Sequence, residues 1–99
     1  MKFLGTMKDV NGVLEIGGVL VTQLQREYRT PLYIYDLELM EKKIAALKEG
    51  FHSDKFKTTI VYASKAYLSK GMVQVVDKMG LDIDAVSAGE LHTILSTKY

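Results

Sequence analysis

Residues 58–86 read TTIVYASKAYLSKGMVQVVDKMGLDIDAV, and the fold class follows from how this stretch divides. Thr58-Thr59-Ile60-Val61-Tyr62-Ala63 is β-branched and aromatic, the composition of a buried strand. Met72, Val76 and Met79 then recur at helical spacing, and Gly80 stands at C′, where a glycine ends a helix. Leu81 to Val86 returns to a strand pattern. Ser87-Ala88-Gly89-Glu90 opens a further helix with Leu91, Ile94 and Leu95 on one face, and with no Gly or Pro stop after Leu95 that helix is expected to run to the end of the chain.

Moving toward the amino terminus, the same unit occurs once more. Leu32-Tyr33-Ile34-Tyr35 is a compact β-prone run, Asp36 is a helix N-cap, and Leu37, Met40, Ile44, Leu47 and Phe51 follow at spacings of three and four. His52 to Lys57 is a polar loop. Before Pro31 the character changes: Gly12, Gly17 and Gly18 punctuate Val13-Leu14-Glu15-Ile16, which reads as a strand ending in a turn. Leu20, Leu24 and Tyr28 then mark a short amphipathic helix with Thr22 as N-cap, stopping before Thr30-Pro31 because a residue preceding proline disfavours the α region.

Strand followed by helix, three times over, predicts an α/β fold with a parallel sheet. The apolar run from Ile60 to Ala63 suits a sheet covered on both faces. Three parallel strands, however, leave two open edges, and a (β/α)8 TIM-type barrel takes about 250 residues. With 99 residues, the expectation is the first three βα units of such a barrel, incomplete, preceded by a short strand and helix. A chain this short buries only about 60–65% of its unfolded surface, so it is expected to be neither a closed domain nor active by itself.

Composition narrows the chemistry. Thirteen Lys and Arg against twelve Asp and Glu give a net charge of +1, which is no electrostatic footprint for nucleic acid or an anionic membrane. The absence of cysteine excludes a disulfide, a thiolate metal site and a cysteine nucleophile within these residues, and His52 and His92 stand too far apart to form a metal motif. No apolar run approaches the roughly 18 residues of a membrane span, and the start lacks a secretory apolar core, so the cytoplasm is the expected compartment. Chemistry must come from Lys, Asp, Glu, Ser or Tyr.

Three residues are candidates. Lys65 lies at the carboxyl end of a strand, where parallel α/β folds carry their reactive groups; a desolvated lysine attacks carbonyls, whereas one leaving the sheet simply points to solvent. Asp84 interrupts the next strand and, if buried, demands a cationic partner, for which Lys65 on the adjacent strand is nearest by topology; alternatively Asp82 and Asp84 face solvent together at period two. Ser87 and Glu90 fit a capping box in which Glu90 reaches back to the Ser87 amide, unless the carboxylate turns toward the strand end instead. Gly89 would let a ligand approach the helix opening, and Gly17-Gly18 lacks the residues of a phosphate loop.

Taken together, Leu14-Glu15-Ile16-Gly17-Gly18, Thr30-Pro31-Leu32-Tyr33-Ile34-Tyr35-Asp36, Tyr62-Ala63-Ser64-Lys65-Ala66 and Asp84-Ala85-Val86-Ser87-Ala88-Gly89-Glu90-Leu91 resemble, in order and spacing, the opening of the pyridoxal-phosphate-dependent decarboxylases of basic amino acids, in their diaminopimelate branch. The resemblance implies an alanine-racemase-like barrel in which Lys65 holds pyridoxal 5′-phosphate covalently, with Asp84 and Glu90 beside it. It further implies a small amino-acid substrate, meso-diaminopimelate yielding L-lysine, and a homodimer. Residues 1–30 would belong to a separate β domain and residues 31–99 to the start of the cofactor-binding barrel. Where the family often has Lys-Ala-Asn, this chain has Lys65-Ala66-Tyr67, a departure that bears on substrate detail. The family's later histidine, glycine-rich phosphate loop, acidic partner of the pyridine nitrogen and cysteine segment have no counterpart in these residues. A related ornithine, arginine or carboxynorspermidine decarboxylase, or a non-catalytic α/β interaction module, are the alternatives.

Overall fold

The computed structural model describes residues 2–97. The chain forms two compact units, Met1–Ala46 and Leu47–Tyr99. Strands and helices are mixed throughout, as an α/β reading requires.

In the first unit, β1 (Lys8–Val10), β2 (Val13–Ile16) and β3 (Val19–Leu20) make an antiparallel meander. Asp9 faces Leu14 and Ile16 faces Val19 across its two ladders. Each connection is a two-residue turn with both residues at positive φ: Asn11 (53°) with Gly12 (85°), and Gly17 (59°) with Gly18 (80°). That geometry matches the twist of the flanking strands and selects Asn and Gly. The strand expected at Val13–Ile16 is thus the centre of a three-stranded sheet.

Helix α1 (Val21–Tyr28) follows β3 directly, with Leu20 at the N-cap and no side-chain cap, so Thr22 lies inside the helix and does not cap it. The expected strand Leu32–Tyr35 is not formed: no ladder includes it, and Tyr33 is 90% exposed. Its residues have strand propensity, but a strand exists only through a hydrogen-bonded neighbour, and none of the described strands pairs with it. Helix α2 (Leu37–Gly50) begins as expected at Asp36, whose Oδ1 accepts the Leu39 N–H at 3.2 Å. Oδ2 of the same carboxylate accepts from both the hydroxyl (2.6 Å) and the N–H (3.1 Å) of Thr6. Thr6 in turn accepts the N–H of Gly17 at 2.7 Å, tying the β2–β3 turn to the start of α2. The Thr6 hydroxyl, then its N–H, hold the Asp36 carboxyl below its ordinary value.

In the second unit, β4 (Val61–Ala63) and β5 (Asp82–Asp84) pair in parallel, with Val61 opposite Asp82, Tyr62 opposite Ile83 and Ala63 opposite Asp84. Both are shorter than the sequence pattern suggests. Between them run a single 3₁₀ turn, Ser64–Ala66, and helix α3 (Lys70–Lys78), capped by the Ser69 hydroxyl on the Met72 N–H at 3.1 Å and ended by Gly80 at φ 72°. Helix α4 (Ala88–Leu95) follows β5. It does not continue to the chain end: Ser96 is its C-cap, and residues 98–99 lie outside the described residues.

Met72, Val73 and Val76 from α3, Leu81 and Ile94 form the buried apolar core, each contributing on the order of 1.5–3 kcal/mol by leaving water. The sheet is covered on one face only. Tyr62 and Ile83 are half-buried, whereas Val61, Ala63, Asp82 and Asp84 share the opposite, exposed face. The expected two-sided cover is absent from the described chain because its helices pack against a single face.

Candidate functional site

The sequence-predicted residues meet at the carboxyl ends of β4 and β5. β4 delivers the chain into the Ser64–Ala66 turn, which carries Lys65; β5 ends at Asp84, in register with Ala63; and the first turn of α4 carries Glu90.

Ser64 joins these pieces. Its side chain is 2% exposed, and its hydroxyl lies 2.5 Å from the carbonyl of Asp84 and 3.2 Å from Oε1 of Glu90. One hydroxyl proton serves both acceptors, the shorter contact taking the larger share. Glu90 Oε1 also accepts the Val86 N–H at 2.8 Å, while the Glu90 N–H donates to the Ser87 hydroxyl at 3.1 Å. Half of the predicted capping box is therefore present. The other half is corrected: the carboxylate reaches past Ser87 to Val86 and Ser64, toward the strand ends, because those two donors converge there. On the far side of the turn the Tyr62 hydroxyl donates to the Tyr67 carbonyl at 2.6 Å, so residues 64–66 are pinned both before and after Lys65.

Lys65 is exposed, and among the described residues its ammonium joins no ion pair. The pairing expected between Lys65 and Asp84 is not formed. Asp84 is exposed together with Asp82, so water solvates the charge and no cationic partner is required; the outward-facing alternation is the arrangement present. A side chain added at Gly89 would meet nothing nearer than the Ser87 hydroxyl at 3.9 Å, leaving open space at the mouth of α4. The cluster therefore offers an accessible primary amine, one free carboxylate at Asp84 and one immobilised carboxylate at Glu90.

A cleft of about 400 Å³ lies elsewhere, at the amino ends of β4 and β5. Of the three basic residues that line it, Lys48 bonds the Met79 carbonyl at 2.6 Å and His52 bonds Asp54 at 3.1 Å, and Lys57 is the third. In parallel α/β folds ligands bind at the carboxyl ends, and this cleft lies at the opposite end of the sheet from the candidate residues.

Sequence reasoning passed over Ser64 and the Tyr62 to Tyr67 tie. Period two offered a signal for the first: Ser64 continues the face of Tyr62, the face packed by helices, where a hydroxyl needs partners.

Residues 37–99 match the family model described as the pyridoxal binding domain of pyridoxal-dependent decarboxylases. The chain is 43% identical over 96 residues to diaminopimelate decarboxylase of Bacillus methanolicus, covering 96% of this chain and 22% of that protein. It is 42% identical over 92 residues to the enzyme of that name from Bacillus subtilis (93% and 21%), and 34% identical over 84 residues to that from Methanothermobacter thermautotrophicus (85% and 20%). The chain thus spans about a fifth of the length of the curated relatives it matches. Because the family match encloses Ser64, Lys65, Asp84 and Glu90 along with most of the sequence, the chain belongs to the pyridoxal-dependent decarboxylase family.

Proposed function

We propose that Lys65 is the residue through which the whole protein holds pyridoxal phosphate, and that the protein converts meso-2,6-diaminopimelate to L-lysine and carbon dioxide. The observation that carries this reading is the placement of the exposed Lys65 in the turn after β4, beside Ser64, whose hydroxyl bonds Glu90, at the same sheet end as Asp84 in the adjacent parallel strand. The donor set suits the cofactor: a primary amine is what an aldehyde condenses with, and Lys65 has no ionic partner among the described residues to compete for it. Lys65, Asp84 and Glu90 are the residues of this chain that would hold the group.

When bound, pyridoxal phosphate supplies an electron sink for the pair left behind as carbon dioxide departs. The chain's own contribution is position and charge. The pinned turn fixes where the Lys65 amine is delivered, and the carboxylates of Asp84 and Glu90 attract the cationic amino groups of a diamino acid. Across the reaction one carboxylate leaves as carbon dioxide and one proton takes its place on the same carbon, so no oxidant is needed. The names of the relatives support diaminopimelate over ornithine, arginine or carboxynorspermidine as substrate.

The exposed sheet face bearing Val61, Ala63, Asp82 and Asp84, opposite a face packed by helices, is what early strands of a (β/α)8 barrel present toward its interior. On this reading residues 31–99 begin the barrel, residues 1–30 join a separate β domain, and the whole enzyme is a cytoplasmic homodimer.

The test is carbon dioxide release by the full-length protein with added cofactor. meso-Diaminopimelate should be turned over to L-lysine, with ornithine and arginine poor substrates. Lys65→Ala should lower turnover by about a thousandfold or more. Asp84→Ala should lower it by at least about tenfold while Asp82→Ala stays within about twofold. Faster turnover of ornithine would reassign the substrate, and equal, small effects at both aspartates would remove Asp84 from the site.

A further inference from the structure

Among the described residues Ser64 is the single buried polar side chain, and it takes no direct part in the chemistry assigned above. Its place is specific. It directly precedes Lys65, it is the first residue after β4, and its one hydroxyl reaches both the last residue of β5 and the first turn of α4. Lys65 is itself exposed, and among the described residues its ammonium joins no ion pair. The position of its backbone depends on its neighbours.

We propose that Ser64 is a positioning residue for Lys65: its hydroxyl clamps the end of β4 to the Asp84 carbonyl and the Glu90 carboxylate, and so fixes the turn that presents the lysine amine beside both acidic residues. This rests on the reading of Lys65 given under Proposed function. Removing the hydroxyl deprives the Asp84 carbonyl of its 2.5 Å donor and leaves Glu90 Oε1 with the Val86 N–H alone. The turn and the carboxylate then lose their common tie. The Tyr62 to Tyr67 bond remains, so the lysine stays in the site but is held on one side only.

The experiment compares full-length holoenzymes carrying Ser64→Ala, Ser64→Cys and Ser64→Thr. Cysteine keeps a small side chain while offering only a weak donor, and threonine keeps the hydroxyl. Three readouts are taken: the site of the borohydride-fixed cofactor adduct by peptide mapping, the pH midpoint of the visible absorbance of the attached cofactor, and kcat and KM separately. In the Ala and Cys variants the adduct should remain on Lys65. Their kcat should fall roughly three- to tenfold with KM within about twofold, and the pH midpoint should move by about half a unit or more. Threonine should restore both toward wild type. A role confined to stability would lower the melting temperature and leave the pH midpoint unmoved. Adducts on Lys65 in every protein with superimposable pH titrations and equal kcat would overturn this inference alone. Absence of an adduct on Lys65 in the wild type would overturn the reading of the lysine, and this inference with it. Should Ser64→Ala fail to accumulate as folded protein, Ser64→Cys against Ser64→Thr decides in the same way.

Discussion

The Met1–Ala46 and Leu47–Tyr99 units reach order by different routes. In the first, strands adjacent in sequence pair antiparallel through two-residue turns, none of its described residues is buried, and polar ties run from the Gly17 N–H through Thr6 to Asp36. In the second, the strands are parallel and separated by a helix, and every buried side chain of the described chain is there. Local turn chemistry can shape a meander without a core. A hydroxyl such as that of Ser64 can organise a site only where surrounding packing keeps water from competing for its partners. The residues proposed to carry the chemistry, Lys65, Asp84 and Glu90, lie in the unit that holds the buried side chains of the described chain.

The largest effect that could break this contrast lies in the core. Val73 is fully buried, whereas Val13 in β2 is only half-buried. Val73→Ala should cost about 2–3 kcal/mol, and Val13→Ala under about 1 kcal/mol. Native-state hydrogen exchange reads the two units separately: amides of α3 should lose protection in the first variant, and amides of β2 should change little in the second. Equal losses would show that the first unit is packed as firmly as the second.

The same contrast explains what the sequence revealed. Helices α2, α3 and α4 were legible because a period near 3.6 is written into Leu37, Met40, Ile44 and into Met72, Val76, Met79, and because Asp36, Ser87 and Gly80 mark ends by local chemistry. Topology brought Lys65 and Asp84 to neighbouring strand ends, since consecutive βα units set such ends side by side, whereas Glu90 joined them only through the family resemblance. Leu32–Tyr35 misled because propensity describes a residue, while a strand is a relation between two segments. The meander was missed in part although Asn11-Gly12 is a hairpin signal, because Lys8-Asp9-Val10 carries almost none of the apolar pattern by which strands are recognised. The Lys65 to Asp84 pairing failed because it assumed burial, which neighbouring sequence alone does not determine. Glu90 reached beyond its capping box because Ser64, a residue far away in sequence, supplied a second donor at the strand end.

A smaller effect sharpens the polar side of the comparison. The Asp36 carboxyl is held below its ordinary value of 3.8, first by the Thr6 hydroxyl. A lowered carboxylate contributes stability that is present above its unfolded value and is lost as pH falls through the folded one. Thr6→Val should therefore melt below wild type by a constant margin above about pH 5, and that margin should narrow as pH drops below the ordinary carboxylate value. Some difference should persist in acid, since Thr6 also accepts the Gly17 N–H. A margin independent of pH would mean that the Thr6 to Asp36 bond does not depend on the carboxylate charge.

The central claim is that the turn ending β4 presents the cofactor-bearing lysine. Borohydride reduction of the full-length holoenzyme, followed by proteolysis and mass mapping of the pyridoxyl-labelled peptide, tests it directly. The label should lie on Lys65, within Tyr62-Ala63-Ser64-Lys65-Ala66. A label on Lys70 or Lys78, the two ends of helix α3, with Lys65 unmodified, would contradict the account.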